Sequence, residues 1–175
     1  MKERKNNMTN KNNNMKKAFV FDFDDTLATT TCKVEVLNKN NKVIRVLTAA
    51  KFNTYELKAN ETFSFEQFKQ LINPVALPLI SLAKEVSQEN HNVFILSARP
   101  SEAVNPITEF LRSLNIKVKS VICVGGKPID IAKEKRIVLM SIIETNDVVY
   151  FYDDDQTNVQ EANTLEGLKA KQVEV

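Results

Sequence analysis

Two groups of aspartates stand where apolar runs end. Asp22, Asp24 and Asp25 lie in Phe21-Asp22-Phe23-Asp24-Asp25-Thr26-Leu27, and Asp153-Asp154-Asp155 follows Val148-Val149-Tyr150-Phe151-Tyr152. Side chains two apart on a strand share a face, so Asp22 and Asp24 can enter one site. If the two strands are neighbours, up to six carboxylates crowd one sheet edge. Their repulsion at neutral pH is costly without a cation. Oxygen-only ligands on a small scaffold suit magnesium. Taken singly, Asp25 and Asp155 read better as helix-capping or solvated acids.

The remaining chemistry-bearing residues are few. Ser97 closes the apolar run Val93-Phe94-Ile95-Leu96 and is followed by Ala98-Arg99-Pro100. Two lysines compete for a basic role, Lys127 after Gly125-Gly126 and Lys133 near the start of a helical pattern. The lone His91, in Glu89-Asn90-His91-Asn92, reads as a loop residue.

These residues need a frame. A nearly continuous apolar run at 18–23 suits a strand buried on both faces of a parallel sheet. Runs at 33–37 and 42–47, separated by Asn38-Lys39-Asn40-Asn41, predict a β-hairpin. Residues 48–73 give weaker signals, with Phe63, Phe65 and Phe68 as the apolar side of a strand-to-helix transition. From Pro74 the pattern alternates: helix 75–89, strand 92–96, helix 101–114, strand 117–124, helix 129–143, strand 148–152, helix 157–168. Such alternation predicts βαβ units and a three-layer, Rossmann-like α/β fold, with ligands at the carboxyl ends of the strands.

Length and charge narrow the reading. A chain of 175 residues accommodates one well-buried domain. The formal charge of +2 divides unevenly: residues 1–17 hold six Lys/Arg and one Glu, or +5, so the rest carries 2 − 5 = −3. Most of that basic excess, four Lys/Arg against one Glu, sits in an Asn- and Lys-rich stretch, 1–15, expected to be a disordered leader before a domain at 16–175. Cys32 and Cys123 form no CxxC pattern and are expected to be reduced thiols. No run is apolar enough for a signal peptide or a membrane span, and a cytoplasmic location is expected.

The sequence resembles the haloacid dehalogenase (HAD) superfamily over about residues 16–170. Asp22-x-Asp24-x-Thr26 resembles the first motif, Ser97 the Ser/Thr motif, Lys133 the basic motif and Asp153-Asp154 the acidic motif. The resemblance implies that Asp22 attacks phosphorus and that Asp24 serves as acid and base. It further implies that magnesium is held by Asp22, Asp153 and the Asp24 carbonyl, and that Thr26, Ser97 and Lys133 bind the phosphoryl group with Asp154 in support. Ser97-x-Arg99 resembles the 3'-phosphatase domain of phage polynucleotide kinases and places Arg99 in the site.

Residues 28–73 leave room for a flap and a small cap at most, and an open site admits the end of a nucleic acid or a nucleotide. A small-metabolite phosphatase and a silent phosphate-binding protein are the alternatives. A receiver-type signalling domain fits poorly, because its phosphoacceptor lies on a middle strand and Cys123-Val124-Gly125 offers no acid. Kinase activity is not expected, since Gly125, Gly126 and Gly167 build no P-loop. The oligomeric state is left open.

Overall fold

The computed structural model describes residues 15–52, 54–126 and 130–174. Of the expected leader at 1–15 all but Met15 lies outside the described residues, as does Lys127. The central sheet has five parallel strands in the order β10-β9-β1-β7-β8, namely β1 (Lys17–Phe21), β7 (Asn92–Ser97), β8 (Ser120–Cys123), β9 (Val148–Asp153) and β10 (Leu168–Gln172).

Alternate residues of the strands serve two cores, as a sheet buried on both faces requires. Phe19, Phe21, Val93 and Ile95 meet Ala83 and Val86 of α2 (Ile80–Gln88) and Ile107 and Leu111 of α3 (Val104–Ser113). Ala18, Val20, Phe94, Leu96, Val149 and Phe151 meet Leu139 and Ile142 of α4 (Ile131–Ile143) and Ala162 of α5 (Gln156–Ala162). This is the expected three-layer α/β architecture. After β8 the chain returns to lay β9 on the other side of β1, and the carboxyl ends flanking that switch are where open α/β sheets bind ligands.

Between β1 and α2 the chain makes an excursion. It leaves through β2 (Ala28–Thr29) and returns through β6 (Val75–Ala76), which pair antiparallel. The expected hairpin forms as β3 (Val34–Leu37) and β4 (Val43–Leu47), closed by Asn38 and by Asn41 at φ 57°. β5 (Thr62–Ser64) completes a three-stranded antiparallel sheet, and a short helix α1 (Ala49–Phe52) follows β4. Phe63 and Phe68 pack with Phe52 and Tyr55 on Val34, Val36 and Leu47, a small core separate from the two large ones.

Three expected elements differ. The helix placed at 75–89 begins only at Ile80, because residues 75–76 pair in β6 and Pro78 disfavours helical backbone at Leu77. The helix placed at 157–168 ends at Ala162, and Gly167, at φ 82°, turns the chain into the unexpected edge strand β10. The first strand stops at Phe21, so that Asp22 and Phe23 belong to the loop that follows it.

Candidate active site

β1 and β9 run in register, Phe21 opposite Tyr152, and the Asp22 amide donates to the Tyr152 carbonyl at 2.8 Å. Asp22 and Asp153 therefore leave neighbouring strands at the same height, both buried. Between them stands an ammonium. Lys135 Nζ donates to Asp22 Oδ1 at 2.5 Å and to Asp153 Oδ2 at 2.7 Å, with the lysine 2% exposed.

Lys133 is not at the site. Its side chain is 69% exposed and pairs with Asp130, the N-cap of α4, at 3.0 Å. The reason is helical phase: Ala132, Lys135, Leu139 and Ile142 form the buried stripe of α4, and position 133 faces away from it. A lysine in the apolar stripe was the signal for Lys135, and distance from Asp153 together with placement near the helix start pointed two residues too early.

Asp153 is held on several sides. Asn158 Nδ2 donates to both of its oxygens, at 3.0 and 3.1 Å, and the Asp155 amide donates to Oδ1 at 2.9 Å. Asn158, on α5, escaped the sequence reading because nothing in its local pattern marks it. Asp155 caps α5, accepting from the Thr157 amide at 2.7 Å. Thr26 is fully buried, its hydroxyl donating to Asp154 Oδ1 at 3.3 Å and accepting from the Asp154 amide at 3.1 Å. It ties the two acidic loops together, where a phosphate contact was expected.

The loop after Asp22 turns sharply. The Leu27 and Ala28 amides both donate to the Phe23 carbonyl at 3.0 Å, and Asp25 takes φ 55°, a left-handed conformation an aspartate tolerates. The turn presents Asp24 to Arg99. Arg99 Nε and Nη2 grip the Asp24 carboxylate in two parallel bonds of 2.7 Å. Nη1 donates to the carbonyls of Phe68 and Gln70, and Nη2 also to Thr30 Oγ1. Guanidinium offers five N–H donors, and these five bonds use them all. With Arg99 only 2% exposed, no donor is left for a phosphate. Arg99 holds Asp24 and fastens the β3–β5 excursion to the main sheet, in place of the expected phosphate contact.

Ser97 lies buried at the end of β7, its oxygen accepting from the Arg99 amide at 3.2 Å. Gly125 makes this turn possible: a Cβ there would sit 1.7 Å from the Ala98 carbonyl oxygen. Its amide donates to the Arg99 carbonyl at 3.0 Å.

The electrostatics follow from burial. Burial pushes the Asp22 carboxyl up, Lys135 opposes the rise, and Asp153 and Asp24 add to it. Burial, then Asp153, raises Asp154. Burial works against the Lys135 ammonium, but Asp22 and Asp153 outweigh it and keep the lysine charged. Oxygen atoms of Asp22, Asp153 and Asp154 lie within 4.8 Å of one another. Three carboxylates against one ammonium leave an anionic, oxygen-only donor set, which fits a hard divalent cation. The Asp24 carboxylate, expected near that cation only through its backbone, is turned to Arg99.

No family model matches the sequence, and no curated protein matches it. Solved structures do. A chain of the Pnkp1/Rnl/Hen1 RNA repair complex superposes with a TM-score of 0.56 at 17% identity, covering 98% of this chain and 47% of that one. A second structure of the Pnkp1/Rnl/Hen1 complex gives 0.59 and 16%, covering 92% and 47%. A HAD-superfamily hydrolase from Ehrlichia chaffeensis gives 0.53 and 15%, covering 89% and 86%.

The fold is HAD-like. The chain spans about half the length of the repair-complex chains it resembles. No helix among the described residues is long and apolar enough to cross a membrane.

Proposed function

We propose that this HAD-like chain is a magnesium-dependent phosphomonoesterase acting through an aspartyl-phosphate on Asp22, on a nucleic-acid 3'-phosphate or a nucleotide. The observation that carries the reading is the buried Lys135 ammonium bridging Asp22 and Asp153 at the carboxyl edge of the sheet. A purely structural ion pair gains little from such burial and needs only one acid. Two buried acids around one base, with Asp154 alongside, make sense where charge is handled.

Each residue has a task. Lys135 fixes the orientation of Asp22, whose carboxylate attacks phosphorus and splits hydrolysis into two easier displacements. The Ser97 hydroxyl and Lys135 supply donors to phosphoryl oxygens as charge spreads over them. Asp24 gives a proton to the leaving oxygen and takes one from the water that follows. Each of its oxygens keeps a lone pair beyond the Arg99 bonds for that transfer. Magnesium, when held by Asp22, Asp153 and Asp154, supplies the positive charge that lets a carboxylate approach an anionic phosphate.

The small excursion at 28–76 supports an open site, and the likeness to chains of an RNA repair complex supports a nucleic-acid or nucleotide phosphate. The test compares the wild type with Asp22→Asn, with and without magnesium, on an aryl phosphate, a nucleotide panel and a 3'-phosphorylated oligonucleotide. Magnesium-dependent phosphate release, absent in Asp22→Asn, is expected. Release from none of the substrates, or equal release by Asp22→Asn, would overturn the proposal.

A further inference from the structure

On one face of the sheet α2 packs on β1 and β7, and α3 on β8. The β9–β10 end of that face carries a regular surface instead. Tyr150 stacks on Phe19 at 5.0 Å and Tyr152 on Phe21 at 5.1 Å, which fixes both rings against the core and leaves them half-buried. On β10 the partners in register are Lys169 beside Tyr150 and Lys171 beside Tyr152, both exposed. The Lys169 ammonium lies 5.5 Å over the Tyr150 ring. The opposite face of β10, with Leu168 and Ala170, is the one that packs into the core.

The result is two parallel rows of aromatic and cation. They are two residues apart along the strands, about 6.6 Å, a step comparable to one nucleotide of an extended strand. A concavity of about 370 Å³ opens at the second row, lined by Leu79, Tyr152, Lys171, Gln172, Val173 and Glu174. It adjoins the acidic site directly: Asp153 follows Tyr152 in the chain, and Gln172 Nε2 donates to the Asp154 carbonyl at 3.0 Å. Exposed ammonium groups beside a rigid aromatic ring match the chemistry of single-stranded nucleic acid, with phosphates on Lys169 and Lys171 and a base face on Tyr152 in the concavity; the two faces of Tyr150 are taken by Phe19 and the Lys169 ammonium, which fix that row in place. The folded part otherwise carries an excess of acid, so the placement of these lysines is local rather than a consequence of composition.

We infer that the β9–β10 face is a track for single-stranded polynucleotide, along which the strand runs toward the carboxyl edge and delivers its phosphorylated end to Asp22. This rests on the phosphatase reading for its direction. Glu174, the one acid among the described residues lining the concavity, would face the strand where it leaves the track.

Binding tests the track without turnover. Fluorescence anisotropy of a labelled single-stranded oligonucleotide is measured against salt for the wild type, for Lys169→Ala/Lys171→Ala, and for Lys117→Ala/Lys119→Ala as a control of equal charge. The track variant is expected to bind about 10-fold more weakly at moderate salt. Its log K against log salt should be shallower by about 1.4, two phosphate contacts at about 0.7 each. The inference is overturned if the wild type does not bind, or if the two double variants lose affinity and slope equally. A failure to release phosphate from any substrate sinks the phosphatase reading and leaves these binding results standing. Equal binding by the track and control variants sinks the track alone.

Discussion

Lys135→Met separates a lysine at the centre of the site from one beside it in sequence. The substitution keeps the length and apolar stem of the side chain but removes the ammonium from two buried carboxylates, bonded at 2.5 and 2.7 Å. Deleting one partner of a buried ion pair leaves uncompensated charge and costs about 3–5 kcal/mol. With a urea dependence of about 2 kcal/mol per molar, the unfolding midpoint should fall by about 2 M. Lys133→Met removes an exposed pair with Asp130 and should change stability by less than about 0.5 kcal/mol. Urea titrations followed by circular dichroism, without magnesium, compare the two. Millimolar magnesium should restore part of the loss in Lys135→Met, because a cation then faces the same acids. A Lys135→Met midpoint equal to that of Lys133→Met would refute the buried bridge as a structural and electrostatic centre.

Further outcomes follow from single contacts. Arg99→Lys supplies at most three donors where five are used, so Asp24 should lose its orientation. Turnover of phosphate esters with poor, alkyl-type leaving groups should fall at least about 10²-fold, and far less for activated aryl esters; equal losses on both would count against a proton-transfer role for Asp24. Gly125→Ala drives a Cβ into the Ala98 carbonyl and should destabilise by about 2 kcal/mol or more, lowering Tm; an unchanged Tm would mean that the Ser97–Arg99 turn yields freely. Magnesium should raise the Tm of the wild type but not of Asp153→Asn, and an equal rise in both would place the cation elsewhere.

How far the sequence foretold this arrangement depends on whether the signal was local. The apolar runs ending at Asp22 and Asp153, and the alternation after Pro74, are local patterns, and they placed the sheet, the helices and both acidic groups. Lys135 was legible only through the buried stripe of α4, a periodic signal weaker than the motif spacing that favoured Lys133. The use of Arg99 was not legible, since three of its five bonds go to Phe68, Gln70 and Thr30 in the excursion. β10 hid because Leu168-Lys169-Ala170-Lys171-Gln172 is an edge strand with a polar outer face, and its alternation is short enough to pass for the end of a helix. The excursion itself, held by a small aromatic core with Phe63 and Phe68, has strands of two to five residues that leave little periodicity to read.

The central claim is that Asp22 carries the phosphoryl group. Wild type mixed with substrate and magnesium, quenched in acid during turnover and analysed by peptide mass spectrometry, should show one phosphoryl group on the peptide containing Asp22, and Asp22→Asn should show none. Turnover by the wild type with no phosphorylated Asp22 peptide, together with an active Asp22→Asn, would contradict it.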